Sequence, residues 1–161
     1  MISRRFHVLR QFLFMRGLIW YPARLNNSRA HRIVWLLEEL QVDYELKVYK
    51  RGDDLLAPDE LKKIHPLGKS PVIGIQGPNM TQPKILAESG FIVEYLLDYF
   101  GKHLIPARYA AGQEDQLGGE TEEWLRYRYY LHYAEGSLMT LMLVALFMQR
   151  EFFCCLCKVK S

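Results

Sequence analysis

No acidic residue occurs among the first 37 positions, which carry seven arginines: Arg4, Arg5, Arg10, Arg16, Arg24, Arg29 and Arg32. The rest of this 161-residue chain holds 14 basic against 18 acidic residues, so its body is mildly acidic although the formal net charge of the whole is +3. Nothing in that balance suggests the phosphate-tracking surface that a basic nucleic-acid binder needs, and no nucleic-acid partner is expected. Cysteine is missing until the very end, where Cys154, Cys155 and Cys157 all fall in the last eight residues. No disulfide can therefore staple the fold, and a reducing compartment is the natural setting. Long apolar runs are also lacking. The longest one beyond the N-terminus, residues 138–148, falls short of the roughly 20 residues needed to span a bilayer, so the chain reads as soluble, with no membrane partner.

Half of the residues are hydrophobic, enough for a real core, and the length suits one compact domain plus a fragment of another. Residues 1–17 form a basic N-terminal extension in which arginines interleave with Phe6, Val8, Leu9, Phe12, Leu13 and Phe14. This is the composition of a mitochondrial presequence and equally that of a basic, loosely ordered tail. A secretory signal fits worse, because Arg16 interrupts the apolar stretch. A cytoplasmic location is expected, with a mitochondrial one left open by the acid-free N-terminus.

The periodicities then predict an alternation of strands and helices. A short strand is expected at residues 18–21. Ile33, Val34, Leu37 and Leu40 fall at helical spacing behind Ser28, the expected N-cap. Residues 44–49 alternate as a strand, residues 58–63 read as a short helix with Pro58 in its first turn, and a polar loop follows at residues 65–69. Pro71-Val72-Ile73-Gly74-Ile75 and Lys84-Ile85-Leu86 are partner strands around the turn Gln76-Gly77-Pro78-Asn79. From residue 88 to 100, Ile92, Tyr95, Leu96 and Tyr99 share one helical face. The order (β)αβ followed by ββα predicts an α/β domain of thioredoxin-like topology with a mixed sheet, over residues 18–101. A linker at residues 102–119 leads to the first helix or so of an all-α domain at residues 120–150, cut short, and residues 151–161 form an unrelated Phe- and Cys-rich tail.

Two short segments could carry chemistry. Pro71 stands where a loop enters a strand, and an X-Pro bond there can be cis because the tertiary amide reduces the trans preference to about 0.5–1 kcal/mol. A cis bond would turn the Ser70 backbone outward to pair with an extended peptide. The plainer reading is a strand-starting proline. Glu88-Ser89 opens a helix, where unpaired N–H groups and the positive dipole end attract a carboxylate while Glu88 can hold an ammonium beside it. That combination suits the α-amino-acid end of a peptide, though a simple helix cap uses the same dipeptide. Together with Lys69, the segments point to a small charged peptide. His31, His65 and His132 show no metal-ligand spacing, and no metal is expected. The stretch Trp124-Leu125-Arg126-Tyr127-Arg128-Tyr129-Tyr130-Leu131-His132-Tyr133 mixes bases with aromatics as a nucleic-acid stacking surface would, but its helical setting argues against that use. The terminal cysteines could be lipidated or bind metal; the plainer reading is a tail foreign to the fold.

Three blocks in register make the pattern specific: Asn27-Ser28-Arg29-Ala30-His31-Arg32-Ile33-Val34-Trp35-Leu36-Leu37-Glu38-Glu39-Leu40, Glu60-Leu61-Lys62-Lys63-Ile64-His65-Pro66-Leu67-Gly68-Lys69-Ser70-Pro71 and Ile85-Leu86-Ala87-Glu88-Ser89-Gly90. In these the chain resembles the glutathione S-transferase family, over roughly residues 26–150, and looks most like its fungal and bacterial members. The resemblance implies that Ser70, before the cis-proline, pairs its main chain with the cysteinyl residue of glutathione. Glu88 and Ser89 would hold the γ-glutamyl end, and Lys69 would lie beside the peptide and favour its carboxylates. Ser28 matches the serine that stabilises the glutathione thiolate in serine-using classes, with Arg32 matching their arginine; Asn27 and Tyr21 are reserves by proximity. The implied reaction is attack of that thiolate on a small apolar electrophile, in detoxification or secondary-metabolite biosynthesis, with glutathione as co-substrate and no metal.

In the family, the aromatic helix from residue 124 lines the electrophile cleft and faces a partner subunit, so a homodimer is implied if the helical domain were complete. Two departures are expected to matter. Pro22 would interrupt a central first strand. Beyond Arg150 the resemblance ends, which would leave most of the electrophile site missing; a non-catalytic glutathione-binding or interaction module derived by truncation is the alternative function.

Overall fold

The structure, a computed structural model, describes residues 23–25, 28–52 and 56–158. The basic extension, the strand expected at residues 18–21, and the reserve residues Tyr21 and Asn27 lie outside the described residues. The chain divides into two compact units, Met1–Gly101 and Lys102–Ser161.

The first unit is built on a four-stranded mixed sheet in the order β2-β1-β3-β4. Strand β1 spans Ala23–Leu25, and Pro22, expected to interrupt a first strand, lies outside the described residues. On one side β1 pairs in parallel with β2, Lys47–Tyr49 (Ala23 opposite Lys47, Leu25 opposite Tyr49); on the other it is antiparallel to β3, Val72–Ile75. Strand β4, Lys84–Ala87, closes the hairpin with β3, Val72 opposite Ala87 and Ile75 opposite Lys84. Parallel pairing needs a crossover, and α1, Ala30–Glu39, supplies it between β1 and β2. This is the thioredoxin-like α/β arrangement the element order predicts. Strand β2 is shorter than its alternation suggests. Its Lys47 and Val48 are exposed and only Tyr49 is buried, so the pattern of residues 44–46 is not carried by a ladder.

The core forms where α1 and α3, Ser89–Phe100, cover the sheet. Ile33 and Leu37 of α1 meet Ile73, Ile75 and Leu86 of the sheet and Ile92 and Leu96 of α3. Burying each such side chain contributes roughly 1.5–3 kcal/mol. The ends of the two helices touch closely at Gly101, where a Cβ would stand 2.5 Å from Leu97 Cδ2 and 3.0 Å from Leu40 Cδ2. A smaller cluster of Tyr49, Leu61 and Val72 anchors the short helix α2, Glu60–Ile64, beside β2 and β3.

The second unit begins with a 3-10 turn at Lys102–Leu104 and a bridge between Tyr109 and Glu120. Helix α4, Glu122–Tyr133, is capped by Thr121, whose hydroxyl accepts from the Trp124 N–H. Trp124 also stacks beneath the Arg108 and Arg128 guanidinium groups. A π-helical turn, Ala134–Leu138, passes directly into α5, Met139–Lys158. The helix thus runs on through the boundary drawn at residue 150 from sequence. It also alters the expectation about apolar length: within Glu122–Gln149 an 18-residue window reaches a mean hydropathy of 1.4 with none of it buried. By length and composition that helix is sufficient to cross a membrane, because continuous helix joins the run at residues 138–148 to the aromatic segment before it. One helix of this kind is weak support for a span, and its first turns carry Glu122, Glu123, Arg126 and Arg128.

Candidate functional site

One end of the sheet gathers the loops that precede α1, follow β2 and enter β3. Ser28 is placed one residue earlier than an N-cap: Arg29 holds that position without a side-chain cap, while Ser28 Oγ accepts from the Ala30 N–H at 3.3 Å. The hydroxyl still satisfies one of the unpaired donors of the first turn, which is the physical role sequence assigned to it.

The loop into β3 is shaped by His65 and Gly68. His65 Nδ1 accepts from Leu67 N–H at 3.3 Å and His65 O accepts from Gly68 N–H at 2.9 Å, closing a turn. Gly68 has φ +57°, and a Cβ there would lie 2.7 Å from Lys62 Cγ. A side chain is therefore disfavoured on two counts, backbone conformation and space. The Lys62 stem is held by its ion pair with Asp59, Nζ to Oδ1 2.9 Å. The hydrogen bond from Lys62 and its charge hold the Asp59 carboxyl below its usual range, and the same contacts raise Lys62. Beyond Gly68, Lys69 is exposed, Ser70 is half-buried, and the Ser70–Pro71 bond is cis.

These loops enclose a cleft of about 210 Å³ lined by Ser28, Arg29, Arg51, Ala57, Gly68, Lys69 and Ser70. Ser28 Oγ and Ser70 Oγ stand 3.4 Å apart across it, though 42 residues separate them in sequence. Among the described lining residues Arg29, Arg51 and Lys69 are cationic, which favours an anion. Arg29 and Arg51 were not singled out from sequence. Arg29 could have been found as the neighbour of Ser28, whereas Arg51 reaches the cleft only through the path of the chain after β2.

Glu88 and Ser89 are not among the residues lining this cleft, but the hairpin places them at the same end. Extending the antiparallel register outward from the Val72–Ala87 pair sets Pro71 across from Glu88. Glu88 is exposed, caps α3 without a side-chain hydrogen bond, and has φ +71° and ψ +117°. For a non-glycine residue that conformation costs on the order of 1–3 kcal/mol and persists where surrounding structure imposes it. Ser89 is 6% exposed at the first position of the 12-residue helix α3. The N-terminal N–H groups of that helix and its dipole offer a second anion-attracting point, with the Glu88 carboxylate beside it to receive a cation. Arg32, named beside Ser28 from sequence, sits half-buried on α1 and does not line the cleft.

A four-stranded mixed sheet with a cationic cleft before a cis-proline and a charged helix opening beside it defines a thioredoxin-like class of domain. Comparison with known proteins makes the class particular. The family profile described as glutathione S-transferase, N-terminal domain, matches residues 19–98. Glutathione S-transferase 1 of Saccharomyces cerevisiae is 42% identical over 120 residues, covering 74% of this chain and 47% of the relative. Glutathione S-transferase 3 of Schizosaccharomyces pombe is 40% identical over 115 residues, covering 71% of this chain and 40% of the relative. Among solved structures, a glutathione S-transferase from Actinobacillus pleuropneumoniae aligns with TM-score 0.60 and 35% identity over 83% of this chain and 54% of that one. The chain belongs to the glutathione S-transferase family, and it spans about half the length of the curated relatives it matches.

Proposed function

We propose that this chain binds glutathione across the end of its sheet and stabilises the thiolate for attack on a small apolar electrophile. The observation that carries the reading is the meeting of Ser28, Lys69 and Ser70 in one cleft. The Ser70 main chain pairs with the cysteinyl residue as an added strand would. At the γ-glutamyl end, the Glu88 carboxylate faces the ammonium while Ser89 and the first-turn N–H groups of α3 receive the carboxylate. Lys69, with Arg29 and Arg51, supplies the positive field for the remaining carboxylate at the opposite end of the peptide.

The chemistry asked of the protein is modest. The thiol loses its proton to water, the sulfur anion accepts a hydrogen bond from the Ser28 hydroxyl, and its lone pair forms the new S–C bond as a leaving group departs or a proton is taken up. Ser28 never becomes covalently attached. A hydrogen bond to a charged partner contributes about 1.5–3 kcal/mol, so Ser28→Ala should lower thiolate-dependent turnover roughly 10- to 100-fold.

A second reading keeps the binding and drops the turnover. It is favoured by the exposed apolar side chains of the second unit's long helix. Calorimetry with glutathione combined with a conjugation assay on a generic aryl halide separates the two. Binding with turnover sensitive to Ser28→Ala supports the enzyme, binding without turnover supports the module, and no binding contradicts both.

A further inference from the structure

Resting on the glutathione reading above, we propose that Lys62, outside the cleft, is a positioning residue for the loop that carries Lys69 and Ser70 into it. Gly68 is buried although Leu67 and Lys69 on either side of it are exposed. What covers it is the Lys62 side chain: from the place a Cβ of Gly68 would take, Lys62 Cγ is 2.7 Å away, Cε 3.6 Å and Cδ 3.7 Å. Successive carbons of the stem thus run alongside the Gly68 Cα, and beyond them the ammonium turns out to Asp59 Oδ1, 2.9 Å away. Lysine is suited to this, because its methylenes can cover a neighbouring surface while the charged head remains in water.

A brace matters at this point of the chain. Gly68 holds φ +57°, and glycine populates negative φ as readily as positive, so its own backbone does little to keep the loop in one shape. The two residues after it line the cleft, so a swing at Gly68 carries both Lys69 and Ser70 with it. Backbone hydrogen bonds tie the loop to α2: His65 N–H donates to Leu61 O at 3.0 Å, and Gly68 N–H donates to His65 O at 2.9 Å. Leu61 is itself fully buried in the cluster with Tyr49 and Val72, which fixes α2 against the sheet. Lys62, the next residue, then covers Gly68 on the side a Cβ would occupy. A loop held in its binding shape before ligand arrives loses less affinity to ordering.

The test compares the full chain with Lys62→Ala, which removes the stem, and Lys62→Met, which keeps an unbranched apolar stem without the charge. Both residues are good helix formers and the position is exposed, so α2 should stay folded in each. Two quantities are measured: glutathione affinity by calorimetry, and NMR order parameters of the Lys69 and Ser70 amides without ligand. Lys62→Ala should weaken binding about threefold. It should also move the two order parameters from the rigid range, about 0.85, toward the flexible one, below about 0.6. Lys62→Met should keep both quantities near those of the unmodified chain. Unchanged affinity and order in Lys62→Ala overturn the proposal, even beside a lowered denaturant midpoint, which would make Lys62 a merely structural residue. Weakened binding with unchanged order overturns it as well, and so do equal losses in Lys62→Met and Lys62→Ala, because the charge and not the stem would then be what matters. Each of those results leaves the glutathione reading intact. No glutathione binding by the unmodified chain overturns that reading, and the positioning role with it.

Discussion

Ile33, Leu37, Leu61, Ile73, Ile92 and Leu96 of the first unit are fully enclosed, and every buried apolar residue among those described lies between Ala30 and Leu97. In the second unit Leu125, Leu141, Val144, Leu146 and Phe147 stand largely open to solvent. The difference separates two ways of holding a helix. In the first unit, α1 and α3 are stabilised by an apolar face against a sheet, and the loops they launch are thereby fixed in space. In the second, the long helix relies on local devices: the Thr121 cap, the Glu122–Arg126 pair one turn apart, and the stacked rings of Tyr129 and Tyr133. Such devices contribute tenths of a kcal/mol to about one each. A site that must hold several groups within fractions of an ångström belongs on the first kind of support, and the cationic cleft lies there.

The contrast is sharpened first by deletion from each unit. Leu96→Ala or Ile33→Ala should cost about 2–5 kcal/mol, seen as an early denaturant midpoint by a probe in the sheet. Leu141→Ala, at a residue 70% exposed, should change stability by no more than about 0.5 kcal/mol; an effect matching that of Leu96 would break the comparison. Next in size, Glu88→Gly relieves the positive-φ backbone and should raise stability by about 1 kcal/mol or more while glutathione binding is lost, readable as opposed shifts in thermal midpoint and calorimetric affinity. In the second unit, Thr121→Ala should cost about 1 kcal/mol of helix stability by circular dichroism, with glutathione affinity unchanged.

The smallest effect is expected at Asp59. Its carboxyl is held low by the hydrogen bond and charge of Lys62, so its contribution to stability is complete above the unfolded-state value, about 3.9, and is lost as pH falls through the lower folded one. Lys62→Met, which keeps the stem beside Gly68, should return the Asp59 titration midpoint seen by NMR to the ordinary range.

The chain order of elements was readable because core faces repeat locally: Ile33 with Leu37, and Ile92 with Leu96, announce their helices at helical spacing. Ser28, Lys69, Ser70, Glu88 and Ser89 were likewise nameable from short motifs, three of them now found in one cleft and two at the neighbouring helix opening. What escaped were consequences of tertiary placement. Arg51 reaches the cleft by the course of a loop, the Ser28–Ser70 contact bridges 42 residues, and the positive φ of Glu88 is imposed on a residue whose type does not request it.

On the proposed reading the first unit holds glutathione between the cationic cleft and the opening of α3. Amide chemical-shift mapping during a glutathione titration tests it most directly. Saturable shifts are expected at Ser28, Lys69, Ser70, Glu88 and Ser89 that vanish in Glu88→Ala while residues 122–149 stay unmoved; shifts confined to residues 122–149, or a titration indifferent to Glu88→Ala, would overturn that placement.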